Sequence, residues 1–148
     1  MSKLTRQSIV FTGGFFLFLI DRLLKFLSEN IFTTQKIFFK IFGWNPYRNP
    51  GIAFNLPLPN WLSVSLTIPI LLIIIFLLVK FCKNQNYLYL FVGLSAIFWG
   101  ALSNLIDRLL FQSTIDYWLL GTGLINLSDL LIISGFVIIL LPTKFFNS

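Results

Sequence analysis

WLSVSLTIPILLIIIFLLV, residues 61–79, carries no charged side chain. A helix needs about 20 mainly apolar residues to cross the hydrocarbon of a bilayer, so this stretch predicts an integral membrane protein. On its C-terminal side, Asn84 to Ile106 is again free of charge and long enough to span. Two further stretches are less clean. Gln7 to Ile20 is uncharged but continues through Asp21, Arg22 and Lys25 to about Leu27. Leu130 to Thr143 is uncharged and must begin near Leu124 to be long enough. The expected fold is therefore all-α, with four transmembrane helices at about 8–27, 61–80, 84–106 and 124–144. The connections leave no room for a second core, so residues 1–148 are expected to form one domain.

Composition agrees. Of the 148 residues, 57% are apolar and 11% charged, against about 25% charged in an ordinary soluble domain. The net charge of +6 is spread in ones and twos among apolar segments, which suits anionic lipid headgroups rather than nucleic acid. The single cysteine, Cys82, excludes an internal disulfide, and the absence of histidine removes the commonest metal ligand and general base. No metal and no cofactor is expected. Lys3 and Arg6 precede the first apolar stretch as in a secretory signal, but DRLLKFLSEN after it offers no small-x-small cleavage site, so the segment is expected to remain. Lys3, Arg6, Lys80, Lys83 and Lys144 fall on the terminal side, against Arg22, Lys25, Lys36, Lys40, Arg48 and Arg108 on the other. If Arg22, Lys25 and Arg108 are engaged by Asp21 and Asp107, the free cations place both termini in the cytoplasm.

Residues 28–60 form the only long connection. IFTTQKIFFKIFGW is rich in β-branched and aromatic residues and reads as strands, and NPYRNPGIAFNLPLPN brings turn punctuation. A small extracytoplasmic sheet is expected at about Ile31 to Leu56. Leu109 to Gly123 reads as a mixed loop.

The chain has five acids, Asp21, Glu29, Asp107, Asp116 and Asp129, and an ionisable group in the hydrocarbon costs about 2.5–3.5 kcal/mol on insertion scales. Asp21 and Lys25, at i and i+4, read as a structural ion pair or as a contact for substrate or lipid. Asn104, Asp107 and Arg108 stack on one helix face and can act as a unit, or form a polar cluster that only satisfies itself. Asp116 and Asp129 flank the uncharged YWLLGTGLINLS and have no lysine or arginine nearby in sequence. Tyr117 and Trp118 suggest interfacial depth, and Asn126 and Ser128 offer Asp129 local hydrogen-bond partners. These two aspartates are the candidate carboxylate pair.

The blocks DRLLK (21–25), NPGIAF (49–54), GALSNLIDR (100–108), STIDYW (113–118) and INLSD (125–129), in this order against four spans, resemble those of the bacterial lipoprotein signal peptidases, the signal peptidase II family of intramembrane aspartyl proteases. The resemblance implies a four-helix fold with a small extracytoplasmic β-cradle, an active site at the outer face of the bacterial cytoplasmic membrane, and a catalytic dyad at Asp116 and Asp129. It implies that Asp21, Lys25, Asn49, Gly51, Asn104, Asp107, Arg108 and Asn126 line or support the site, with Asn49 and Arg108 facing the lipidated substrate. That substrate would be a diacylglyceryl-modified prolipoprotein, cut on the amino side of the lipidated cysteine by a monomer that binds globomycin-type inhibitors. The chain departs from the family pattern at Arg22, where glutamine is usual, at Trp99 and Ser103, where glycine is usual, and at Ile125 and Ser128, the latter usually alanine. Three other readings remain: a small transporter or ion-path protein using Asp21, Asp107 and Asp129, a serine-lysine peptidase using Ser103 and Lys25, and a catalytically inactive scaffold.

Overall fold

A computed structural model describes residues 3–38, 41–51, 58–82, 84 and 87–140. The chain runs α1 (Lys3–Asn30), β1 (Lys36–Phe38), β2 (Phe42–Asn49), α2 (Asn60–Phe81), α3 (Leu88–Phe111), β3 (Thr114–Leu120), β4 (Gly123–Ile125) and α4 (Leu127–Leu140). It is mostly helical, with one small antiparallel sheet in the order β1-β2-β3-β4.

α3 is the axis of the bundle, with α1, α2 and α4 all packed against it. At the end remote from the sheet, Ile74 and Leu78 of α2 meet Phe91, Leu94 and Ile97 of α3, with Val10, Phe11 and Ile139 packed around them. The outer faces are apolar too. Phe16, Leu72, Phe76 and Val79 are exposed, as expected of helices whose solvent is lipid. α2 and α3 are long and apolar enough to cross a membrane. α1 has the length but carries Asp21, Arg22 and Lys25, and α4 is an apolar helix of 14 residues.

The helix bounds differ from those expected. α3 runs to Phe111 rather than Ile106, so Asn104, Asp107 and Arg108 occupy its last two turns. It ends where Gln112 adopts a left-handed conformation (φ 56°) and donates its N–H to Arg108 O. α4 starts at Leu127 rather than 124, so Asp129 lies in its first turn and not a turn inside a span. The segment expected to be a mixed loop is instead β3 and β4. Its polar residues hid a strand whose second partner, β2, lies some seventy positions earlier, a pairing that no local pattern displays. Likewise β2 continues through Asn45, Pro46 and Tyr47, where turns were expected. It does so through a register shift between Trp44 and Tyr47, since Pro46 has no N–H to give a regular ladder.

Close contact between α3 and α4 depends on glycine. A Cβ on Gly135 would meet Gly93 O at 2.6 Å, and one on Gly93 would meet Gly135 O at 2.8 Å. Both obstacles are backbone, which cannot rotate away. Gly135→Val should therefore lower stability by about 1–3 kcal/mol through overpacking, read as a lower thermal unfolding midpoint in detergent.

Candidate active site

α4 begins with a reciprocal cap. Asn126 Oδ1 accepts the N–H of Asp129 at 2.9 Å, and Asp129 Oδ2 accepts the N–H of Asn126 at 3.2 Å. This is a capping box with Asn and Asp in place of the usual Ser/Thr and Glu. The cap holds the Asp129 carboxylate in place, and its other oxygen accepts Asn104 Nδ2 at 2.9 Å. The Asn126 side chain also turns its amide to the second acid, donating to Asp116 Oδ1 at 2.7 Å. Asp116 Oδ2 accepts Asn49 Nδ2 at 2.9 Å. Asn49 is two residues beyond Tyr47, which pairs with Asp116 across β2 and β3, so it occupies the same sheet face and reaches Asp116 diagonally.

Asp116, Asp129, Asn49, Asn104 and Arg108 line one cavity of about 390 Å³. Gly51 stands beside it, with its N–H donated to Asn49 Oδ1 at 2.9 Å and its carbonyl accepting Arg108 Nη2 at 2.5 Å. Residues 52–54, the rest of the NPGIAF block, lie outside the described residues. Among those described, neither Asp116 nor Asp129 is in an ion pair. Burial, followed by the nearby charge of Asp129, pushes the Asp116 carboxyl up from 3.8 to about 6, against the lowering effect of Asn49 and Asn126.

Asn104, Asp107 and Arg108 do not act as one unit. Helical residues are about 100° apart around the axis, so Asp107 and Arg108 flank Asn104 on opposite sides. Arg108 turns to the cavity, whereas Asp107 turns to α1. There it pairs with Arg22, accepts Lys25 Nζ at 2.7 Å, and takes the N–H of Ile115 at 3.2 Å.

Lys25 also meets Asp21 at 3.1 Å and donates to Asn104 Oδ1 at 2.8 Å. Asp21 is fully buried and receives three hydroxyls: Ser103 at 2.6 Å, Ser128 at 2.5 Å and Tyr117 at 2.9 Å. Tyr117 is thus not an interfacial belt residue. Its ring is buried, and its oxygen accepts the N–H of Leu127 at 2.9 Å while Asp21 takes that of Ser128 at 3.2 Å. Together they cap the α4 terminus that carries Asp129. Nothing local in the sequence marks Tyr117 for this, because its partners come from α1 and α4. Ser103 cannot serve as a nucleophile with Lys25. Its proton goes to Asp21, it does not line the cavity, and Lys25 is held between two carboxylates.

Residues 14–145 match the family described as Signal peptidase (SPase) II. The chain is 32% identical over 137 residues to the lipoprotein signal peptidase of Aquifex aeolicus, covering 86% of this chain and 81% of that protein. It is 31% identical over 102 residues to the lipoprotein signal peptidase of Listeria welshimeri, covering 66% of this chain but only 65% of that protein. Its fold is similar to that of a solved bacterial membrane enzyme, with a TM-score of 0.72 at 22% identity over 89% of this chain and 85% of that one. The chain belongs to the signal peptidase II family.

Two measurements check the electrostatics. Between pH 3.8 and about 6 the folded protein binds more protons at Asp116 than the unfolded chain, so stability falls as pH rises through that window. The fall should be shallower in Asp116→Asn, compared by unfolding in detergent across that range. Tyr117→Phe removes one hydrogen bond to a buried carboxylate and the acceptor of the Leu127 N–H. It should cost about 1.5–3 kcal/mol, seen as a lower unfolding midpoint.

Proposed function

We propose that this protein is a membrane aspartyl endopeptidase that removes the signal peptide from diacylglyceryl-modified prolipoproteins, on the amino side of the lipidated cysteine. The observation that carries this reading is the single Asn126 residue holding both Asp116 and Asp129 at one cavity. Family membership supplies the substrate class.

Two carboxylates so placed cannot both ionise easily, so they share a proton and titrate as a unit. The ionised member takes a proton from water, which attacks the scissile carbonyl. The protonated member hydrogen-bonds the carbonyl oxygen and stabilises the tetrahedral intermediate, then passes its proton to the leaving amine. Asn49, Asn104 and Asn126 position the acids. No covalent enzyme intermediate is needed.

In this reading all four helices span the bacterial cytoplasmic membrane as one domain, both termini are cytoplasmic, and the sheet lies at the outer face. Acyl chains left in lipid hold the substrate at this height, at about 0.8 kcal/mol per buried methylene. An ion-path role is disfavoured because two of its three acids, Asp21 and Asp107, are already paired with Lys25 and Arg22.

Asp116→Asn and Asp129→Asn should each abolish release of the signal segment from a purified diacylglyceryl precursor, while the variants still insert and fold. Wild-type release should be blocked by globomycin. Cleavage by either variant would reject the assignment.

A further inference from the structure

Among the largely apolar residues of α2, Asn60 and Ser63 lie one turn apart on the side that meets the cavity. Asn60 Nδ2 donates to Arg108 O at 3.2 Å, joining the first turn of α2 to the last turn of α3. Ser63 and Arg108, 6% and 7% exposed, both line the cavity that holds Asp116 and Asp129. Among the described residues, neither Ser63 Oγ nor Arg108 Nη1 has a hydrogen-bond partner. A helical serine or threonine can give its hydroxyl to a carbonyl about one turn back, as Ser65 does to Leu62 and Thr67 does to Ser63. Ser63 does not.

Two buried donors on one cavity, one neutral and one cationic, suit an oxygen acceptor. The wall beyond Ser63 is apolar. Leu66 of α2 and Ile133 of α4 line the cavity and are 53% and 57% exposed. The cavity therefore opens sideways between two helices that each pack on α3, towards the space acyl chains would occupy.

We propose that Ser63 Oγ and Arg108 Nη1 form a subsite for an ester carbonyl of the substrate's glyceryl lipid, so that the protein reads the acyl linkage as well as the peptide. The proposal rests on the prolipoprotein reading above. A peptide carbonyl offers the same acceptor, but the position of Ser63 next to the apolar opening favours the lipid ester.

The test uses the full-length protein and two synthetic precursors, alike except that the cysteine carries either a diacylglyceryl group or its dialkyl ether counterpart. The wild type should show a kcat/KM about three- to tenfold higher for the diester, the size of one or two modest hydrogen bonds. Ser63→Ala should reduce the preference by lowering the diester value, leaving the share due to Arg108, and Ser63→Thr should restore it. Equal losses on both substrates, or an ester preference undiminished in Ser63→Ala, would overturn the subsite. Failure of the wild type to cut either precursor would instead overturn the peptidase reading, and the subsite with it.

Discussion

Asn126 is the residue on which the site depends, because three of its groups act at once. Its carbonyl oxygen and backbone N–H lock Asp129 into the cap of α4, and its amide reaches across to Asp116 on β3. The two acids belong to different elements and could otherwise relieve their mutual repulsion by moving apart. A buried asparagine whose donors and acceptors are all engaged resists that motion, since breaking any one bond strands a polar group away from water. Asn49 and Asn104 hold the far oxygens. The side chains that hydrogen-bond the carboxylates are thus neutral amides rather than cations, which leaves the pair able to share a proton.

Behind the candidate pair lies a charged layer of a different kind. Asp21 and Asp107 face Lys25 and Arg22, so two acids are balanced by two bases in the interior. Breaking such a set by removing one partner strands a buried charge. The hydroxyls of Ser103, Ser128 and Tyr117 take up the remaining acceptor capacity of Asp21. Arg22, Ser103 and Ser128 all belong to this layer. Arg22 donates to the carbonyl of Ser103, and Ser103 and Ser128 share one oxygen of Asp21. They form a connected set that supports α4 from behind, and none of the three lines the cavity itself.

Much of this could be read from the chain. Uncharged runs located α2 and α3 to within a few residues, because only an apolar surface is stable against lipid. The i and i+4 spacing of Asp21 and Lys25 foretold their contact, since both lie on one helix face. The strands of the connection after α1 were visible in their β-branched and aromatic residues. The third strand was not. Asp116 and Tyr117 sit on β3, whose pairing with β2 joins residues separated by two long helices, and local composition suggested only a loop. The same distance hid the role of Tyr117, whose aromatic ring resembles a belt residue until Asp21 and Leu127 are brought to its hydroxyl.

The sequence by itself determined the solvent of this protein, the number of acids it could use and the pair left without a nearby base. These follow from hydropathy and charge, which are properties of residues one at a time. Only the tertiary structure decided which oxygen meets which donor. It turned Asp107 away from Arg108, set Asn49 diagonal to Asp116 through an irregular strand, and left Ser63 and Arg108 as donors on the cavity wall. The physical reason is directional: a hydrogen bond is decided within a few tenths of an ångström, by elements that are far apart along the chain and adjacent only after packing.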